Sequence, residues 1–258
     1  APRRRCAGRY RRGMIRLAAF ALLLCVSAAQ AAECRKETYD GNAYTLCEVA
    51  PAEEQLRLFL WDSDDLLYGH FGSIDRALRQ QGKQLGFAMN AGMYHEDRAP
   101  VGHYIEQGQQ QRRVISSAGP GNFGLLPNGI LCLRESRADV FETSAYLAQN
   151  PQCYGATQSG PMLVIDGALH PRFLPDSTSR YIRNGVGTSA DGKRAVFVIS
   201  DNTVTFHEFG SLFRDHLKLP NALYLDGNVS RIRAPGLGRD DAGFTPLGPI
   251  IGVVESAK

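Results

Sequence analysis

The chain has 258 residues, 43% hydrophobic and 21% charged, which supplies enough apolar side chain for a sizeable core and argues against a disordered or fibrous protein. Its formal charge of +3 comes from 29 basic and 26 acidic residues, yet seven arginines precede Ala32, where no acid occurs; residues 32–258 keep 22 basic against 26 acidic residues, a net charge of −4. A body of that sign has no positive excess with which to follow a nucleic-acid backbone, so nucleic-acid binding is not expected.

At the N-terminus, Arg16 precedes an apolar run from Leu17 to Val26 and then the small residues Ala29-Gln30-Ala31, the pattern of an export signal cleaved after Ala31. Residues 1–31 are read as a signal peptide with a basic N-terminal extension, and 32–258 as one domain. Residues 1–13 hold six arginines before Met14: either the gene start is placed too early or the basic region is extended, and Arg11-Arg12 would suit a twin-arginine signal. The apolar run is about half the roughly 20 residues that a spanning helix needs, so no permanent membrane anchor is expected. Cys25 lacks the small preceding residue of a lipoprotein signal.

Export implies a periplasmic or secreted, oxidising setting for the four remaining cysteines, Cys34, Cys47, Cys132 and Cys153. Four cysteines allow three pairings. Sequence proximity favours Cys34 with Cys47 and Cys132 with Cys153, each bridge contributing about 3 kcal/mol; free buried thiols are the alternative. No C-x-x-C spacing occurs, which argues against a zinc ribbon or a thioredoxin-like centre.

The segment 33–54 is polar and reads as a loosely attached arm. A strand signal at 56–61 follows, then a helix over 74–81, with Ser73 as its cap and Gly82 just beyond its end. Strands are expected at 85–89, 101–106, 111–116 and 130–133, then a helix over 143–149 stopped by Asn150-Pro151. Strands at 162–165 and 195–200 come next. Phe209, Leu212, Phe213 and His216 or Leu217 recur at helical spacing over about 207–217, ahead of Pro220. Strands at 222–225 and 250–254 complete the set. The dipeptides Asn128-Gly129, Asp166-Gly167 and Asp191-Gly192 favour hairpins. Strands outnumber helices about three to one with no regular β-α alternation, so the expected class is α+β: a mainly antiparallel mixed sheet with about three helices in a single domain.

Four stretches combine strand ends, glycine and side chains able to bind or transfer protons. Asn90-Ala91-Gly92-Met93-Tyr94 follows an apolar strand; Gly92 permits a close turn, and Asn90 both donates and accepts hydrogen bonds. Thr157-Gln158-Ser159-Gly160 offers Ser159 as a nucleophile or as a turn residue, without the G-x-S-x-G pattern. In Ser177-Thr178-Ser179-Arg180-Tyr181-Ile182-Arg183-Asn184-Gly185, a guanidinium offers paired donors to a phosphate or carboxylate, the alternative being a structural ion pair. Asp201-Asn202 closes a strand, as does Asp226-Gly227-Asn228-Val229-Ser230, where a carboxylate on a sheet rim is reachable by ligand or cation. Six histidines show no H-E-x-x-H spacing, so zinc hydrolysis has little support.

Taken together and in order, FAMNAGMYHEDRAPVG (87–102), GPGNFGLLPNG (119–129), ATQSGPMLVIDGALHPRF (156–173), STSRYIRNGVG (177–187), VISDNTVTFHEFGSLFRD (198–215) and NALYLDGNVSRI (221–232) resemble the phosphodiester glycosidase family, most closely its bacterial branch. The resemblance runs from about Leu56 to Val254. It implies a hydrolase that breaks the glycosidic bond of a sugar-1-phosphodiester or related envelope glycan. The site it implies has Asp226, Arg183, Asn90 and Asp201 as catalytic candidates. Gly92, Tyr94, Ser159, Gly160, Gly227 and Ser230 would bind substrate, and Glu208 is a further reserve for a second carboxylate. Animal members resemble Asp-Gly-Gly-Gly-Ser where this chain has Asp226-Gly227-Asn228-Val229-Ser230, so Asn228 and Val229 are expected to reshape the sugar pocket. No cofactor is required by this reading; a cation could bridge Asp226 to substrate, and Ca²⁺ suits such oxygen ligands best. Two other readings stay open, a non-catalytic periplasmic glycan-binding module of the same fold and a serine esterase using Ser159.

Overall fold

Many of the apolar runs do not alternate because their strands are buried on both faces. In Ala195–Ser200, Val196 and Val198 point into one hydrophobic cluster while Phe197 and Ile199 point into another. The computed structural model describes Pro2, residues 32–226 and residues 229–257; the expected leader, Pro2 apart, and Gly227 and Asn228 lie outside the described residues.

Three antiparallel sheets share one core. The first has seven strands in the order Glu33–Tyr39, Asn42–Val49, Ala195–Ser200, Asn184–Thr188, Asn221–Asp226, Met162–Ile165 and Ala168–Leu169. The second has five: Arg239–Asp240, Ile232–Ala234, Lys83–Asn90, Ile250–Ser256 and Gln55–Phe59. The third also has five: Gln109–Arg112, Tyr104–Glu106, Gly155–Ser159, Gly129–Arg134 and Arg137–Glu142. Their inner faces meet in a cluster that includes Phe197 and Leu223 of the first sheet, Leu58 and Phe87 of the second, and Leu131 and Val140 of the third.

Each outer face is closed by one helix. The helix Phe206–Ser211 and the π-helical turn Leu212–His216 lay Phe209 and Phe213 on Leu46, Val196 and Leu163. The helix Phe71–Arg79 buries Ile74 and Leu78 against Leu85 and Ile250. The helix Thr143–Gln149 sets Tyr146 on Ile130 and Cys132. The α+β class and the three helices are as the sequence indicates, with the sheet divided into three.

The segment read as a loose arm is instead a hairpin whose second strand, Asn42–Val49, lies inside the seven-stranded sheet. Its polar residues are satisfied by protein rather than water. Thr45 donates its hydroxyl to Asp201 at 3.0 Å, and Arg194 donates to Glu48 at 2.6 Å. Ser73 does not cap its helix, which begins three residues earlier behind His70, with no side-chain cap. The strand expected at 101–106 shortens to Tyr104–Glu106, and the one expected at 111–116 lies instead at Gln109–Arg112, the two joined by a turn at Gln107 and Gly108, at φ 51° and 79°. Asn128-Gly129 makes no hairpin; Asn128 is buried, and its side-chain oxygen accepts from the Thr143 hydroxyl at 2.7 Å.

Both favoured disulfides are present, Cys34–Cys47 across the first hairpin and Cys132–Cys153 between the third sheet and the segment entering Gly155–Ser159. Closing 21 residues of sequence removes loop entropy from the unfolded chain. The double replacement Cys132→Ala/Cys153→Ala should therefore lower unfolding free energy by about 3 kcal/mol in urea titration, and an unchanged midpoint would contradict that contribution.

Candidate active site

Two short runs of alternating side chains bring unlike charges to one cavity. In an extended chain residues two apart share a face, and Ser179, Tyr181 and Arg183 on one run, with Tyr224 and Asp226 on the other, line a cavity of about 340 Å³. Met93, Asn122 and Phe206 complete it. A larger cavity of about 510 Å³ lies at the Gly155 end of the third sheet among Glu54, Arg57, Glu135 and Tyr154. Chemistry rather than size selects the smaller one, since an arginine beside a half-buried aspartate can hold a substrate that changes charge during reaction.

Arg183 is the largest fully buried side chain among the described residues, 1% exposed. Its Nε donates to the Val204 carbonyl at 2.9 Å and its Nη2 to that of Ser179 at 3.1 Å. The guanidinium carbon lies 3.7 Å from the centre of the Phe206 ring, 5.4 Å from Tyr181 and 5.6 Å from Tyr224. Phe206 is backed in turn by Phe173, stacked at 5.0 Å, and Phe173 by His170 at 4.8 Å. A desolvated cation over an aromatic face gains roughly 2 kcal/mol, and two carbonyl acceptors add charge-assisted hydrogen bonds. Burial pulls the Arg183 pKa below its ordinary value, opposed by Tyr224, Tyr181 and Glu208; the guanidinium remains a cation. Its charge is met by rings and carbonyls, and among the described residues no carboxylate forms a salt bridge with it.

Tyr224 sits between the charges. Burial, with the Asp226 charge added, raises its phenol pKa despite the lowering influence of Arg183, so it stays a neutral hydroxyl. Asp226 ends its strand opposite Asn184. The Asp226 backbone N–H donates to Asn184 Oδ1 at 2.9 Å, and its carbonyl accepts the Ser230 hydroxyl at 2.7 Å. Asn184 Nδ2 donates to Asn90 Oδ1 at 3.2 Å and to the Asn90 carbonyl at 3.0 Å. Asn90 Oδ1 also accepts the Arg231 N–H at 2.8 Å. Asn184 thus couples the Asp226 end of the first sheet to the Asn90 end of the second.

The candidate residues fall into three groups. Arg183 and Asp226 line the cavity. Asn90, Ser230, Gly92, Ser159 and Gly160 lie behind it in supporting roles. A Cβ on Gly92 would collide with the Thr157 hydroxyl and the Gln158 carbonyl, so the Asn90–Gly92 turn packs directly on the third sheet. Ser159 is fully buried and donates its hydroxyl to the Leu225 carbonyl at 2.6 Å, which leaves the esterase reading without an exposed nucleophile. A Cβ on Gly160 would lie 2.9 Å from the Phe123 carbonyl and 3.2 Å from that of Asn122, the loop that reaches the cavity. Tyr94 packs on Gly248 with Arg98 5.5 Å from its ring; burial and then the Asp226 charge raise its pKa.

The third group lies elsewhere. Asp201 does not line the cavity; it accepts from Thr45 and forms an ion pair with Arg239, which also donates to Asp241 at 3.0 Å. That cluster ties the first sheet to the second. Glu208 completes a capping box with Thr205 and pairs with Arg180 at 2.9 Å. Burial pushes the Glu208 pKa up, but the Thr205 N–H and Arg180 outweigh it and hold it below the usual carboxylate range. Among the described residues no three His, Cys, Asp or Glu side chains gather as metal ligands. Asn184, Tyr224, Phe206, Asn122 and Met93 were not singled out from the sequence; only Tyr224 carried a signal, its two-residue spacing from Asp226 on an apolar strand.

A family model described as phosphodiester glycosidase matches residues 83–243. An uncharacterized protein of Escherichia coli (strain K12), YigE, is 33% identical over 195 residues, 76% of this chain and 74% of that protein. The catalytic domain of zebrafish N-acetylglucosamine-1-phosphodiester alpha-N-acetylglucosaminidase, auto-inhibited by its pro-peptide, shares the fold at a TM-score of 0.60 and 13% identity, covering 88% of this chain and 84% of that one. A hypothetical protein from Synechocystis aligns at 0.57 and 15% identity over 86% of this chain and 61% of its own.

The hub position of Asn184 has a measurable consequence. Asn184→Ala removes the acceptor of the Asp226 N–H and one of the two donors to Asn90 Oδ1, and should cost about 2 kcal/mol in urea unfolding. A loss under about 0.5 kcal/mol would show that water replaces the amide there.

Proposed function

Because the chain belongs to the phosphodiester glycosidase family, we propose that the cavity at Arg183 and Asp226 hydrolyses the glycosidic bond of a sugar-1-phosphodiester or related glycan of the cell envelope. The observation that carries this reading is a buried arginine, solvated by rings and carbonyls, sharing a cavity with an aspartate. Two disulfides support a periplasmic or secreted location, and among the described residues no helix is long and apolar enough to cross a membrane.

Cleavage of the bond between the anomeric carbon and the bridging oxygen gives the sugar oxocarbenium character and sends the bond's electron pair to the phosphate. Both signs of charge grow together. Arg183 holds the phosphate oxygens, and its interaction strengthens as the departing monoester gains negative charge, so stabilisation is greatest in the transition state. The leaving group is already a stabilised anion and needs less protonation than an alcohol, which lightens the demand for a general acid. Asp226 supplies the opposite charge, steadying the sugar cation or drawing a proton from the water that adds to the anomeric carbon. Asn184, Asn90 and Ser230 fix the strand end that presents it.

One observation favours a second reading, a glycan-binding module without catalysis. Asp226 is the single carboxylate among the described lining residues, whereas glycoside hydrolysis commonly uses two. Incubating the mature protein with a panel of sugar-1-phosphodiesters and envelope polymers, with and without chelator, separates the readings by released sugar and phosphate monoester. Asp226→Asn, which keeps the side-chain shape, should fold normally and lose at least about a hundredfold in turnover; Arg183→Ala should lose at least as much, and it also removes a buried side chain on which three rings and two carbonyls pack. Arg183→Lys, which keeps the charge but not the paired donors, checks that the loss is not a folding defect. Full activity in Asp226→Asn would remove the assignment.

A further inference from the structure

Tyr181 is the most exposed of the three rings around the Arg183 guanidinium: 52% of its surface is open, against 1% for Tyr224, while Phe206 is half-buried. An exposed ring usually costs little to move, but this one sits on a fixed backbone. Its N–H donates to the Val204 carbonyl at 3.1 Å and its carbonyl accepts the Val204 N–H at 2.9 Å, so a two-way bridge pins the residue beside the cavity it lines. Its ring centre stays 5.4 Å from the guanidinium carbon. Phe206 covers another face of that cation at 3.7 Å, and two backbone carbonyls take inward donors.

A diester held at Arg183 has two arms. The sugar arm must bring its anomeric carbon toward Asp226, whose charge is felt at Tyr224 and Tyr94. The other arm leaves the phosphate toward solvent, and the lining ring most open to solvent is that of Tyr181. A flat apolar face stacks there at small entropic cost, because the platform is already in place; a small alkyl group covers little of it.

We propose that Tyr181 is the specificity residue for the phosphate-side arm, a stacking platform that favours diesters carrying a ring on that arm over those carrying a small alkyl group. The inference rests on the hydrolytic reading of the cavity. Its test compares methyl, hexosyl and benzyl diesters of one sugar 1-phosphate with the wild-type protein, Tyr181→Ala, Tyr181→Phe and Tyr181→Trp.

Wild-type protein should show kcat/KM about three- to tenfold higher for the ring-bearing diesters than for the methyl diester. Tyr181→Ala should erase that preference, bringing the three diesters to similar kcat/KM, and Tyr181→Phe and Tyr181→Trp should keep it. A preference for the hexosyl but not the benzyl diester identifies a pyranose as the natural arm; a preference for both identifies any flat ring. Equal loss on all three diesters in Tyr181→Ala, or no change on any, overturns the platform while the hydrolase stands. Failure of the wild-type protein to cleave any diester overturns the hydrolytic reading itself.

Discussion

A guanidinium withdrawn from water loses several kcal/mol of hydration unless the protein replaces it, and around Arg183 the replacement is made of rings and carbonyls. A carboxylate partner would bring its own desolvation penalty and would also cancel the positive charge. Phe206 at 3.7 Å, the Val204 and Ser179 carbonyls, and the Tyr224 phenol solvate the cation without cancelling it. The guanidinium therefore keeps its charge at the wall of the cavity. The stack of His170, Phe173 and Phe206 behind it keeps the ring where the cation needs it.

The rest of the fold can be understood as what holds Asp226 opposite that cation. Three sheets share one core, so the ends of strands from different sheets converge where side chains can cross between them. Asn184 makes the crossing, gripping Asn90 of the second sheet and the backbone of Asp226 in the first. Ser159 adds a tie from the third sheet to the Leu225 carbonyl. Buried amides and hydroxyls of this kind are worth little as net stability but cost much when one partner is lost, which fixes a single geometry.

Much of this was legible in the sequence, and the failures have physical causes. Arg183 and Asp226 stood out as a paired donor and a carboxylate at strand ends next to glycine. Asp201 shares that local signature, yet its oxygens are turned to Arg239, a residue 38 positions away that no local pattern links to it. The polar hairpin at 33–49 looked like a loose arm because Thr45 and Glu48 are satisfied by Asp201 and Arg194 rather than by water. Period-two alternation in Ser179-x-Tyr181-x-Arg183 and Tyr224-x-Asp226 would have named the cavity's aromatic lining. It was hidden because Asn221–Asp226 is buried on both faces and carries no polar contrast to mark which side faces the site, while Ser179–Arg183 lies outside any strand.

If Arg183 and Asp226 divide the two products of one broken bond as proposed, the phosphate keeps the bridging oxygen and the sugar takes oxygen from water. Hydrolysis of a sugar-1-phosphodiester in ¹⁸O-water, followed by mass spectrometry of both products, tests it most directly. Label is expected in the anomeric hydroxyl of the released sugar and not in the phosphate monoester. Label in the phosphate would mean that phosphorus, not the anomeric carbon, is attacked, and would contradict it.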